Sequence, residues 1–170
     1  MSGILTPITD IINKIQTGSS IQFARIFNNQ FKYLEEQQIE SYPFPCAFVE
    51  VIMPETYNQL SQGITESDVT FRIHIGQVQY DAGDGTIEQN TSIFALRDEI
   101  IKLLTYYRPT ACSSLQKNAE GQDYEHTNIY HYTIDFACSF IDDRGDQTTT
   151  QIIKPAPTNL IDNATINSAM

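Results

Sequence analysis

The sequence predicts an α+β domain: an antiparallel sheet of about four to five strands, two main helices packed on one face, and an extended C-terminal arm. Three observations carry this. Apolar residues recur at helical spacing in residues 3–17 and 88–107. Strict apolar–polar alternation marks residues 68–76 and 129–141 as half-buried strands. Strand signals follow one another directly, an order that suits an antiparallel sheet with helices laid against it.

The first helix is expected over residues 3–17. Ile4, Ile8, Ile11 and Ile15 form one stripe, Leu5 and Ile12 widen it, and Asn13, Lys14 and Gln16 take the other side. Gly18, Ser19 and Ser20 stop it. Residues 21–28, with Ile21, Phe23, Ile26 and Phe27, suggest a first strand. The Gln- and Glu-rich residues 29–41 read as a short helix or a loop.

Pro43-Phe44-Pro45 fixes an extended approach to the apolar run 46–53, which reads as a largely buried strand closed by Pro54. Residues 55–67 read as a polar, mobile connection. In residues 68–76, Val69, Phe71, Ile73 and Ile75 alternate with Thr70, Arg72, His74 and Gly76, giving one core face and one wet or interfacial face. Residues 81–86 read as a loop.

The second helix, over 88–107, carries Ile93, Leu96, Ile100, Leu103, Leu104 and Tyr107 on one face. Phe94 and Ile101 fall off that stripe, which suggests cover on more than one side. Arg108-Pro109 ends it. Residues 123–128 and 129–141 read as two strands or one long one. Asp142 to Asp146 form a turn. From Gln147 the chain is poor in apolar surface, so the expectation is one domain over 1–146 and an arm over 147–170, extended or disordered until assembled.

Composition narrows function. The chain has 170 residues and a formal net charge of −11. A field of that sign repels phosphate backbones, which argues against sequence-reading nucleic-acid binding. It suits a passage through which nucleic acid moves without adhering. Three widely spaced cysteines, Cys46, Cys112 and Cys138, do not form a disulfide framework and fit a reducing compartment. Met1 to Gln16 lacks the pattern of a signal peptide, and no apolar run approaches membrane-spanning length. The sequons at Asn90 and Asn163 are then read as chance matches.

No constellation for chemistry stands out, and the expectation is no catalytic, cofactor-binding or metal site. His74 and His131 could neighbour each other on the polar face of the sheet, but with His126 they show no ligand spacing for zinc. They read as exposed or interfacial imidazoles. Cys112, Ser113 and Ser114 have no base beside them in sequence. Asp81, Asp84 and Glu88 miss the calcium-loop spacing. Glu35-Glu36 and Asp142-Asp143 lack an apolar setting that would raise a carboxyl pKa. Arg144-Gly145-Asp146 reads as a turn, not as an adhesion motif.

One resemblance rests on the order of these pieces. An amphipathic helix leads to a strand. Tyr42-Pro43-Phe44-Pro45 introduces Ala47-Phe48-Val49-Glu50-Val51. Asp68-Val69-Thr70-Phe71-Arg72-Ile73-His74-Ile75 follows a loop, and Ile93-Phe94-Ala95-Leu96-Arg97-Asp98-Glu99-Ile100 opens a helix before a final strand. Over residues 3–141 this resembles the tail terminator and neck (tail-completion) proteins of tailed bacteriophages. The resemblance implies a non-enzymatic virion protein, assembled in the host cytoplasm into a ring, a hexamer in that family. The ring would cap the tail tube, meet the head connector or stopper, and let DNA pass its lumen. The same pattern suits another neck ring, such as a head-completion (stopper) or tube-like protein. Outside that class, a wet sheet face suits a small-ligand or peptide-binding module, and an enzyme would have to use His74 or His131.

Overall fold

A computed structural model describes residues 3–32, 42–78, 92–125 and 129–145. The elements are α1 (Leu5–Gly18), β1 (Phe23–Ile26), β2 (Cys46–Ile52), β3 (Asn58–Ser61), β4 (Ile64–Val78), α2 (Ser92–Leu104), β5 (Gln116–Asp123) and β6 (Ile129–Asp142). They form one six-stranded sheet in the order β1-β2-β4-β6-β5, with β3 also paired to β4.

The broad expectation of an α+β domain holds, but the sheet differs from it in two ways. It has six described strands instead of about four to five, and it is mixed: β1 pairs with β2 in parallel, Phe23 opposite Cys46 and Ile26 opposite Val49. A parallel pair needs a long crossover between its strands, and the stretch between Ile26 and Cys46 supplies one. The other pairings are antiparallel.

The expected mobile connection over 55–67 contains β3 and the start of β4. These form a hairpin whose turn places Gly63 at φ 82°, a left-handed conformation that glycine adopts without steric cost. The strand expected over 123–128 lies earlier, as β5 over Gln116–Asp123. The second helix is described over Ser92–Leu104, short of the expected 107. The arm expected over 147–170 lies outside the described residues.

The main core is made by the stripes the sequence displays. Ile8, Ile11, Ile12 and Ile15 of α1 and Ile93, Leu96, Ile100 and Leu104 of α2 join Val69, Phe71, Ile73 and Ile75 of β4 and alternate residues of β6 in one cluster. Full burial of each such side chain stabilises by about 1.5–3 kcal/mol. Phe94, expected under cover, is 44% exposed and meets only the edge of Tyr132 among described aromatic contacts. The opposite face of the sheet holds a smaller cluster of Phe31, Tyr42, Cys46, Phe48 and Ile129, with Phe23, Phe27 and Phe44 against it. The Phe44–Pro45 peptide is cis. No described helix is long and apolar enough to cross a membrane.

Candidate functional site

Beside the smaller cluster, strand alternation aligns six polar side chains on one face. In β4, Arg72 and His74 point away from the main core; in β6, His131 and Asp135 do the same. Arg72 stands opposite Glu50 on one side and Asp135 on the other, and His131 stands opposite Asp123 of β5. The result is a continuous row across four strands. His131 Nδ1 lies 3.1 Å from Asp123 Oδ2. His131 Nε2 and His74 Nδ1 share a hydrogen bond of 2.9 Å. His74 Nε2 lies 3.1 Å from Glu50 Oε2. Arg72 Nη1 lies 3.9 Å from Glu50 Oε2, while Arg72 Nε and Nη2 donate bonds of 2.8 and 2.9 Å to Asp135 Oδ1 and Oδ2.

The imidazoles are not exposed, as the sequence suggested, but buried: His74 is 5% and His131 3% accessible. Phe27 stacks flat on His74 with ring centroids 3.8 Å apart, and Phe31 covers His131 at 4.7 Å. Gly76, opposite His131 in the ladder, makes room for that cover. A Cβ there would sit 2.5 Å from Phe31 Cε1.

Burial, then the nearby Arg72 charge, pushes the His74 pKa down to about 4, against the smaller pull of Asp135 and Asp123. His74 is therefore neutral at pH 7. Its two ring nitrogens each face a partner, so its single proton satisfies one of them and the other accepts. The Asp135 bonds raise the Arg72 pKa, so the guanidinium stays charged at the end of the row. A hydrogen-bonded N–N distance of 2.9 Å leaves no space for an ion between the rings. No metal-binding group of His, Cys, Asp or Glu occurs among the described residues.

The other candidates stay apart from the histidines. Cys46, Cys112 and Cys138 are buried and free. Burial pushes Cys46 up to about 12. The bond with Cys138, and burial, raise Cys112. The same bond lowers the Cys138 pKa, so burial alone works against a reactive thiolate at Cys138, whereas at Cys46 and Cys112 burial and a raised pKa act together. Ser113 lines an open cleft of about 420 Å3 with Glu66, Arg108, Cys112, Ser139 and Ile141. No histidine lines that cleft, and Ser113 Oγ accepts a bond from the Ser139 amide. Asp142 is paired with Arg144, which lowers its pKa. His126, Asp81, Asp84, Glu88, Glu35, Glu36, Asp146 and the sequon asparagines Asn90 and Asn163 lie outside the described residues.

A second feature is a surface. The segment through the end of β2 and β3 exposes Ile52, Met53, Tyr57 and Leu60, the last two by 53% and 54%. Among the described residues β3 pairs only with β4, so its outer edge presents unpaired backbone groups. Sequence reasoning read residues 55–67 as a polar connection that offers surface beyond the core, and missed β3 because Asn58-Gln59-Leu60-Ser61 has no strand alternation. Glu50, Asp123 and Asp135 were missed as histidine neighbours because only the register brings them together.

No family model matches the chain, and no curated protein matches it in sequence.

Proposed function

We propose that this chain is a non-enzymatic structural subunit that forms a ring at the head–tail junction of a tailed phage, capping the tail tube and joining it to the head connector. The observation that carries the reading is the β3–β4 hairpin, with an open edge and exposed Ile52, Met53, Tyr57 and Leu60. A surface that is apolar and edge-open is an association surface. The element order that resembles the neck proteins, with two helices behind one face and an arm after Gln147, supports the particular ring. The net charge of −11 suits a lumen that DNA crosses without sticking. The two buried imidazoles, tied to each other and stacked under Phe27 and Phe31, act as an internal strut across β4 and β6.

A ring of one chain needs two unlike surfaces that meet head to tail. Light-scattering mass measurement after size exclusion, with particle imaging, tests this directly. The expected result is a closed ring of identical subunits, alone or on addition of tail-tube and connector proteins. A chain that stays monomeric in all of those mixtures removes the reading. Capture on tail-tube protein against capture on the connector separates a tail terminator from a head-completion (stopper) ring.

A further inference from the structure

We infer that the open edge of β3 takes the segment Thr148–Ile153 from a second copy of this chain as an added strand. The inference rests on the ring reading and names the contact that closes it. Four observations support it.

The acceptor is an edge without a partner among the described residues, flanked by exposed Tyr57 and Leu60. Backbone groups on such an edge are completed by an extended segment, and side chains on one face of the added strand meet the exposed apolar residues.

The donor is written in the sequence. Thr148, Thr149, Thr150, Gln151, Ile152 and Ile153 carry no charge, and five of the six are β-branched. These residue types fit a pleated strand, and Lys154-Pro155 sets its end. Asp146 and Gln147 are the only residues between this run and Gly145.

The chain leaves the domain at the acceptor's end of the sheet. A Cβ on Gly145 would sit 2.7 Å from the Gly63 carbonyl, so Gly145 packs on the hairpin turn.

Direction then selects a second copy. β3 and β6 are each antiparallel to β4, so they run the same way, both toward that turn. A chain following β6 is heading away from its own β3. Pairing within one subunit requires a reversal within Asp146-Gln147, whereas pairing with a neighbour requires none. A donor segment and an acceptor edge are also unlike surfaces of one chain, which is what a head-to-tail ring requires.

The test places one cysteine on each side of the contact, Leu60→Cys with Ile152→Cys, in the full chain. The native cysteines are buried, which keeps background cross-linking low. The protein is oxidised mildly with oxidised glutathione and run without reductant, and its mass is measured in parallel under native conditions. A ladder of linked copies, ending at the subunit number of the native particle, is the expected result. A shifted monomer band alone means that the segment folds back within one chain and overturns the inference. A native ring with no cross-link overturns it as well, while leaving the ring reading intact. A native monomer removes both. In a second variant, Thr150→Pro deletes one amide donor from the added strand and is expected to lower the native mass. A ring of unchanged mass in that variant counts against the inference.

Discussion

His74 and His131 share one hydrogen bond of 2.9 Å between rings that lie 5.1 Å apart at 24°, and each ring also faces a carboxylate, Glu50 or Asp123. The pair spans β4 and β6, whose fourteen-rung ladder is the longest in the sheet. Buried polar groups joined in this way depend on one another. Losing one leaves the other desolvated without its partner.

His131→Ala is expected to destabilise the fold by about 2 kcal/mol, through the stranded His74 nitrogen and the cavity under Phe31. His74→Leu with His131→Leu is expected to cost less than the sum of the single changes, because neither leaves a buried polar partner behind. Urea unfolding of the four proteins of this cycle measures the coupling. Strict additivity would show that the rings do not act as a unit.

Stability should fall on acidification from about pH 6.5 to about pH 4. His74 titrates near 4 in the folded chain and near 6.5 when unfolded. Between those values the unfolded chain holds a proton that the folded chain lacks, so acid favours unfolding and stability rises with pH across this window. The groups around the ring are Glu50 on β2, Arg72 on β4, Asp135 on β6, and Asp123 on β5 by way of His131. The expected change is on the order of 3 kcal/mol across the window. Urea midpoints from pH 4 to 7.5 measure it, and the slope should flatten in His74→Leu.

Gly76→Ala should destabilise the domain although a strand normally gains from losing a glycine. The added methyl would stand 2.5 and 2.6 Å from two Phe31 ring atoms and 3.0 Å from Cys46 Sγ. Overpacking of this kind costs about 1–3 kcal/mol. Phe31 also covers His131, so the imidazole signals should move in the same variant. Thermal unfolding with a histidine NMR spectrum reads both effects, and an unperturbed spectrum would mean that Phe31 shifts without disturbing the pair.

The sequence showed the helix stripes and the two long alternating strands because each is a local period. It also placed His74 and His131 on one face, since both fall on the polar phase of their strands. It could not show their burial. The cover comes from Phe27, the last apolar residue of the expected first strand, and from Phe31 in the polar stretch after it, and no local pattern aims either ring at a histidine. Nor could it show β5, Gln116-Lys117-Asn118-Ala119-Glu120-Gly121-Gln122-Asp123, whose strand state follows from pairing with β6 and not from propensity. Polar, charged composition is how an outer strand avoids unwanted pairing, so β5 hides from a search for apolar alternation. The parallel β1–β2 pair depends on a crossover that no local pattern encodes.

All three thiols should be silent in the folded protein. Cys46 is fully buried with its pKa pushed up to about 12, and Cys112 and Cys138 are 4% and 7% accessible. The thiolate is the reactive form, so burial and a raised pKa both slow attack on a disulfide reagent at Cys46 and Cys112, and burial slows it at Cys138, whose pKa the Cys112 bond lowers. A chromogenic aromatic disulfide at pH 8 should report almost no release from native protein and three thiols in denaturant. One fast thiol in native protein would contradict the packing of the strand that holds it.

Leu60→Asp should separate assembly from folding. Leu60 is half exposed on a strand that pairs only with β4 among the described residues, so replacing it touches no described core contact and should change stability by no more than about 0.5 kcal/mol. If the hairpin is the association surface, the same change places a charge in the centre of an apolar contact. An unpaired charge there is costly, and the native mass should fall toward that of the monomer. Leu5→Asp, at an equally exposed apolar residue on α1, serves as the control and should leave the mass unchanged. Equal loss in both variants would point to general surface stickiness. Loss in Leu60→Asp alone, at unchanged thermal stability, would assign the contact to the hairpin.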